Sequence, residues 1–462
     1  MKPRIIIHGG AGNIIREGYP AEKYQAYRTA LLSIVANTAH YMNSVIPSLP
    51  PEKSSSASSP FLDQGKGPSA LEIATHAVTQ LEDNALFNSG HGAVFTRDGV
   101  NELEASVMVS RGAAKRAVGV MGLRRVRNPI LLARRILEHG EQDLAPRWMS
   151  ENASVRGNLA ESVAIDIPSA QGHSQLHGKA AEALARRYGL EMVDPAYFFT
   201  QQRWDEHVRA LERERRGAGT GTWDAGEHLP QGTVGAVALD GEGVVCVATS
   251  TGGMTNKLTG RIGDTPSIGA GFWAEEWVES GRGEEPTAWD RALDLIRAAG
   301  GGVTLAGPLK GFLADCLPAP WLYSPLSPGV EETTTTTTTT TRSMAISGTG
   351  NGDSFLRTSA ARTAAAMARW RPEPGSEAVR HVAGRGGELQ RSAGDRWGRT
   401  GEGEGGMIGI ESVVVRDAAG RVLDARSEIL MDFNCGGMYR AWADEDGKVI
   451  MSVWTNGSWD DL

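Results

Sequence analysis

"EHLPQGTVGAVALD", Glu227–Asp240, joins two kinds of chain. Up to Gly232 it is polar and loop-like. From Val234 it alternates Val and Ala in the manner of a buried strand. A single hydroxyl, Thr233, sits at the junction. A threonine at the start of a strand is ordinarily structural, because Thr suits strands and Gly often precedes them. A sharper chemistry follows if the backbone opens between Gly232 and Thr233. Thr233 would then carry a hydroxyl and a free α-amine, whose usual pKa of about 7.7–8.0 suits a base near neutrality. An N-terminal threonine with its own amine as base is an activated nucleophile. The cut could be autocatalytic, the hydroxyl attacking the Gly232 carbonyl, with glycine permitting the backbone geometry.

Working outward, "TVGAVALD", the turn "GEG" and "VVCVATSTGG" read as a hairpin. "PRIIIHGGAG" reads as a buried strand entering a glycine loop. Helical spacing covers residues 20–46. Ser69 and Glu72 form a capping box at the start of "PSALEIATHAVTQLED". "GAVFTRDGVNELEASVMVS" reads as a second hairpin about "RDG", followed by the strand "AVGVMGLR" and a helix at "NPILLARRILEHG" with Pro129 near its start. A further helix is expected at 178–189. "SMAISGTGNGDSF" is strand, loop and helix start, "FLRTSAARTAAAMARW" an Ala-rich helix, and "MIGIESVVVRDAAGRVLDARSE" a last strand pair. Strands in hairpins with helices grouped between them suit antiparallel sheets packed together with helices outside, not a doubly wound parallel sheet. Four stretches, 47–67, 200–232, 276–342 and 371–404, read as disordered insertions from their polar, Gly-, Ser- or Thr-rich texture. The third ends in nine threonines, Thr333–Thr341.

The 462 residues carry a formal charge of −8, which disfavours a nucleic-acid or anionic-membrane partner. The 58 glycines exceed the usual share of about 7% and cluster in short loops. Three cysteines without a C-x-x-C suggest neither a disulfide framework nor a cysteine zinc site. No signal-peptide or membrane-length apolar run is read, so a soluble, reducing, cytoplasmic setting is expected. "GTGNG" lacks the remaining features of a phosphate-binding loop. His173 and His177, four apart, read as a surface pair rather than zinc ligands. Glu102 and Glu104 read as solvated charge on a strand face.

"GTVGAVALD" (232–240) followed by "ATSTGGMTNKLTGRIGDTPSIGAG" (248–271) closely resembles the plant-type L-asparaginase and isoaspartyl peptidase family of N-terminal nucleophile hydrolases. "IIIHGGAG" (5–12), "LFNSGHGAVFTRDGVNELEASVM" (86–108), "ISGTGNGDSF" (346–355) and "FNCGGMYRA" (433–441) recur in the family's order. The resemblance implies an α+β fold, a four-layer αββα sandwich. It implies one domain over 1–462, processed to an α chain 1–232 and a β chain 233–462. Thr233 would be the nucleophile, with Thr251 hydrogen bonding its hydroxyl and Asn88 adding a polar contact. Arg261 and Asp264 would hold a substrate's α-carboxylate and α-ammonium. Thr349 and Gly350 would supply the oxyanion hole. Backbone carbonyls of Leu81, Glu82, Asn84, Phe87, Ser89 and His91 would hold a structural sodium ion, with no cofactor in the chemistry itself. Expected partners are a small amide or dipeptide substrate and a second αβ unit in a dimer, with no nucleic acid and no membrane. The sequence differs from many members in having Gly348 for Cys, Asp353 for Glu and Glu104 for Asp. A glycosylasparaginase or taspase-like threonine endopeptidase, and an unprocessed non-catalytic scaffold, remain the alternative readings.

Overall fold

The computed structural model describes residues 1–44, 67–111, 117–144, 170, 172–217, 222, 232–279, 338–371 and 373–455. The chain divides into a main unit, Met1–Trp277, Arg342–Val414 and Ala425–Leu462, and a smaller one, Val278–Thr341 and Val415–Asp424. In the smaller unit the Asp417 carboxylate accepts the Ala419 and Arg421 N–H groups at 2.9 Å each, closing a turn.

The main unit is α+β. Its larger sheet has the order β12-β11-β1-β5-β6-β2-β3-β4. The strands are β1 (Arg4–Gly12), β2 (Leu103–Val109), β3 (Ala117–Leu123), β4 (Gln175–His177), β5 (Val234–Leu239), β6 (Val245–Thr251), β11 (Gly437–Ala443) and β12 (Val449–Ser452). The smaller sheet is β10-β9-β8-β7. It is built from β7 (Phe272–Glu279), β8 (Thr339–Gly350), β9 (Gly405–Arg416) and β10 (Val422–Phe433).

Successive strand side chains point to opposite faces, so a strand buried on both sides must be apolar at every position. That is why "III" opens β1. Ile5 and Ile7 join a cluster with helices α1 (Ala21–Met42), α2 (Ala70–Glu82) and α3 (Pro129–Leu144). Ile6 joins a second cluster containing residues of both sheets. β5 repeats the alternation, Ala236 and Ala238 against the helices and Val237 and Leu239 toward the other sheet. In the smaller sheet Ala345, Ile408 and Phe272 face that shared cluster. Met344, Ile346 and Met407 face a third cluster, formed with α6 (Gly352–Thr358), α7 (Ala360–Trp370), α8 (Gly375–Ala383) and α9 (Glu388–Ala393).

The capping box at Ser69, the β5–β6 hairpin, the strand 117–123 and the helix begun by Pro129 are as expected. Several expectations are corrected. The first arm of the supposed hairpin at 92–110 is not a strand. The turn exists, with the Thr96 N–H donating to Val100 O at 2.8 Å, but β2 pairs with β3 and β6 instead. Not every pairing is antiparallel, since β4 runs parallel to β3. The Ala-rich helix is two, broken at Ser359, which adopts the left-handed conformation. β9 and β10 are not the last strands, because β11 returns to pair with β1.

Three of the supposed insertions are partly folded. Residues 276–279 finish β7, and Thr339–Arg342 begin β8, so the last three threonines of the tract are strand. Residues 375–383 and 388–393 form α8 and α9, which bury Val379, Val382 and Leu389. Residues 201–215 form α5 (Gln201–Arg215), capped by the Thr200 side chain accepting from Arg203 N. Residues 394–404 continue as a short 3-10 turn, Gly394–Arg396, and a loop that reaches the start of β9. Residues 45–66, 218–221, 223–231, 280–337 and 372 lie outside the described residues. The helix at 178–187, α4 (Gly178–Arg187), ends two residues earlier than expected. His177 is in β4, with His173 exposed before it, so no single helix face carries both.

α5 is charged yet docked. Buried Arg203 donates to Glu206 Oε2 at 2.8 Å, to Gly92 O at 2.9 Å and to Leu86 O at 3.0 Å. Removing one partner of such a buried pair leaves a desolvated charge, so Arg203→Ala is expected to destabilise the protein by about 3–5 kcal/mol. Urea unfolding checks this. A loss below about 1 kcal/mol, the level of a surface pair, would mean α5 is not held as described.

Candidate active site

Gly232 and Thr233 enter the larger sheet at the head of β5. A cleft opens there, lined by Ala11–Asn13, Glu104, Gly232, Thr233, Thr251, Gly253, Met254, Arg261, Gly263, Asp264, Gly350–Gly352, Gly401 and Glu404. It therefore gathers Thr233, Thr251, Arg261, Asp264 and Gly350, positions spread over more than a hundred residues of sequence.

Gly232 is held close. A Cβ there would stand 2.6 Å from Gly10 Cα and 2.7 Å from Thr349 Oγ1, so no larger residue fits without displacement. Thr349 is fully buried on β8, and its hydroxyl has no hydrogen-bond partner among the described residues. A buried hydroxyl without a partner is costly and marks a place where a ligand atom or water would be accepted. Gly350 follows with φ +140°, and a Cβ there would lie 2.4 Å from Glu404 O. Only glycine brings this backbone so close to β9.

Thr233 is 5% exposed, and its Oγ1 is hydrogen bonded to Thr265 Oγ1 at 2.9 Å. The hydroxyl partner expected from the resemblance was Thr251. The Thr251 hydroxyl instead accepts the Gly253 N–H at 3.0 Å, bracing the glycine turn that borders the cleft. Asn88 acts one step further back. Its amide donates to Gly253 O at 2.7 Å and accepts from Val94 N at 3.0 Å.

Arg261 and Asp264 both close on the backbone of Gly352, at the start of α6. Arg261 Nη2 is 3.0 Å from Asp353 Oδ1, an exposed carboxylate in the first turn of α6. Asp264 is buried, and its Oδ2 has no hydrogen-bond partner among the described residues. Burial pushes its carboxyl up to about 7, opposed by Arg261 and aided by the charges of Glu104 and Asp353. Below them Glu104, 1% exposed, accepts the Gly263 N–H at 3.2 Å and lies 3.5 Å from the buried Lys257 ammonium. Glu102 is also buried, accepting from Gly260 N at 2.7 Å and Arg124 Nη2 at 2.8 Å. The two carboxylates are thus not solvated charge, as the sequence suggested. They anchor the two ends of the Gly260–Gly263 turn that presents Arg261.

The loop after α2 offers oxygen-only ligation. The carbonyls of Asn84, Phe87 and Ser89 each accept an N–H within the loop, at 2.9–3.2 Å, and keep a second lone pair, while Leu81 O accepts both the Asn84 N–H at 3.3 Å and the Ser89 hydroxyl at 3.5 Å. Such a donor set fits a hard cation. His91 Nδ1 is 2.6 Å from Tyr197 O, which steadies the end of the loop. Among the described residues no group of His, Cys, Asp or Glu could hold a metal, and no helix is long and apolar enough to cross a membrane.

A family model described as Asparaginase matches residues 56–151 and 159–284. A putative isoaspartyl peptidase/L-asparaginase of Dictyostelium discoideum is 33% identical over 324 residues, covering 64% of this chain and 78% of the relative. The isoaspartyl peptidase of Escherichia coli is 33% identical over 326 residues, covering 69% of this chain and 84% of the relative. The chain belongs to this family. It is a hydrolase of the asparaginase and isoaspartyl peptidase kind. A probable isoaspartyl peptidase/L-asparaginase 2 of Arabidopsis thaliana, 25% identical, aligns along 97% of this chain and 98% of its own length.

Sequence reasoning missed Thr265, Lys257, Gly401 and Glu404. Thr265 follows Asp264 directly but lies 32 residues from Thr233, with no spacing that would pair them. Gly401 and Glu404 sit in a stretch whose texture resembles an insertion.

The buried Asp264 has a stability signature. Unfolded, it ionises near the ordinary value of about 3.9. Folded, it keeps its proton up to about 7. Between those values the native state binds more protons than the unfolded state, so its contribution is full below pH about 4 and lost as pH rises through about 7. Asp264→Asn is expected to flatten the fall in unfolding free energy between pH 4 and 7, measured by denaturant titration at several pH values. A variant whose stability follows the parent's pH dependence throughout would contradict the assignment.

Proposed function

We propose that the chain cuts itself between Gly232 and Thr233, and that the freed Thr233 hydrolyses L-asparagine and β-aspartyl dipeptides through an acyl-enzyme. The observation that carries this reading is the meeting of three things at the Gly232–Thr233 bond and the cleft beside it. They are the Thr233 hydroxyl at the head of β5, the unpartnered buried Thr349 hydroxyl packed against Gly232, and the Arg261 guanidinium with the Asp264 carboxyl in the cleft wall. The two apolar-faced sheets with helices beyond them support the four-layer αββα arrangement of N-terminal nucleophile hydrolases.

In maturation the Thr233 hydroxyl attacks the Gly232 carbonyl carbon, forming a C–O bond. The C–N bond then breaks, and the hydroxyl proton ends on the departing α-nitrogen. Water hydrolyses the ester, leaving a Gly232 carboxylate and a free Thr233. In turnover the new α-amine takes the hydroxyl proton as Thr233 attacks the substrate's side-chain amide carbon. The Thr349 hydroxyl and Gly350 N–H receive the developing oxyanion. Ammonia or an amino acid departs with the proton, and water releases aspartate. Arg261 offers the planar fork that suits a carboxylate, exchanging Asp353 for the substrate. Asp264, ionised, pairs with the α-ammonium, and that pairing offsets its burial. The 81–91 loop would hold a sodium ion through the carbonyls of Leu81, Glu82, Asn84, Phe87, Ser89 and His91. Its contribution there is rigidity of the segment that carries Asn88. We read the working form as a dimer of αβ units.

Intact mass with N-terminal sequencing tests the reading. The parent protein should give two fragments, the second beginning Thr-Val-Gly-Ala, while Thr233→Ala stays whole and inactive. Turnover by that variant would overturn the nucleophile. Arg261→Lys should raise KM about tenfold or more, since hydrogen bonds to charged groups contribute about 1.5–3 kcal/mol. An unchanged KM for both substrates would remove Arg261 from the binding role.

A further inference from the structure

Among the groups around the cleft, Thr265 has no assigned task and the most direct contact. Its hydroxyl is 2.9 Å from that of Thr233, and both residues are buried. The main chain at Thr265 is itself fixed. Its carbonyl accepts the Ser106 hydroxyl at 2.6 Å, from β2, and the Thr249 hydroxyl at 3.4 Å, from β6. Ser106 and Thr249 are hydrogen bonded to each other. On either side, the Asp264 carbonyl accepts the Ser267 and Gly271 N–H groups at 3.0 and 3.1 Å, and Pro266 O accepts Gln175 Nε2 at 2.8 Å. The turn bearing Thr265 is therefore tied to β2, to β6 and to the start of β4. A hydroxyl on such a turn holds its neighbour's hydroxyl in one rotamer.

We infer that Thr265 is the positioning residue for self-cleavage, fixing the Thr233 hydroxyl against the Gly232 carbonyl before any α-amine exists. This rests on the reading of Thr233 as the nucleophile. In the continuous chain the Thr233 nitrogen is an amide and cannot act as a base. Orientation of the hydroxyl then falls to the side chain that touches it. Near-attack alignment of two joined groups is the kind of gain that geometry alone supplies. After cleavage the α-amine takes over orientation and proton uptake. Thr265 therefore matters more for maturation than for turnover. Its adjacency to Asp264 also ties the nucleophile to the turn that would grip substrate.

The test compares Thr265→Val, which keeps the shape and loses the hydroxyl, with Thr265→Ser, which keeps the hydroxyl. The half-time of cleavage at Gly232–Thr233 is followed by intact mass. The kcat and KM for L-asparagine and a β-aspartyl dipeptide are measured on matured protein, and thermal unfolding reports folding. The expected result is cleavage slowed at least about tenfold in Thr265→Val, a barrier change of about 1.4 kcal/mol, with Thr265→Ser close to the parent. KM should be unchanged, and kcat should fall by less than the cleavage rate. Cleavage of Thr265→Val at the parental rate would overturn the inference. So would Thr265→Ser as slow as Thr265→Val, which would make the methyl group the cause. Should Thr265→Val not fold, Thr265→Ala takes its place against Thr265→Ser under the same criteria. A parent protein that is never cut at Gly232–Thr233 would instead remove the nucleophile reading, and this inference with it.

Discussion

The hydrogen bond between the His8 imidazole and the Ser347 hydroxyl, 2.7 Å long, ties β1 of the larger sheet to β8 of the smaller one. Burial pushes the imidazole down to about 3, so it is neutral and serves as a fixed dipole rather than a charge. Both ends lie within a few residues of the cleft. Gly10 and Ala11 follow His8 and border Gly232, while Thr349 and Gly350 follow Ser347. The distance between the sheets at this point sets how near the Thr349 hydroxyl stands to the Gly232–Thr233 bond. Apolar packing between sheets is tolerant of sliding, whereas a buried hydrogen bond has one length and direction. The cleft depends on that single register.

From this tether the remaining groups are placed by layers of support. Thr251 and Asn88 shape the Gly253 turn. Glu102 and Glu104 fix the Gly260–Gly263 turn, which aims Arg261. Lys257 neutralises Glu104 and donates to Glu102 O at 3.0 Å. None of these supporting residues needs to touch a ligand. They hold rotamers and backbone where a displacement of an ångström would matter.

Much of the larger sheet was legible because its strands are buried on both faces and read as unbroken apolar runs. The site was legible because its residues sit in short glycine-rich stretches that recur in family order. What escaped reading has physical causes. α5 buries charge rather than apolar surface, so Arg203 and Glu206 look like solvent-facing residues in sequence. α8 and α9 are short, and each buries only a few apolar side chains between glycines. The break at Ser359 leaves no mark in an Ala-rich run. The Thr233–Thr265 pair is a contact between residues that only the folded turn brings together.

The strand order carries a last consequence. Strands from before Gly232 (β1, β2, β3 and β4) interleave with strands from after it (β5, β6, β11 and β12). β1 is hydrogen bonded on one side to β5 and on the other to β11. Opening the backbone at this bond would release no piece, since each part is stitched through the other. It would change the molecularity of folding. One chain collapses at a rate independent of its concentration, whereas two must first meet, and the entropy of their encounter then counts against the native state. A molecule matured in this way would be folded once as a single chain, and afterwards its refolding would depend on dilution.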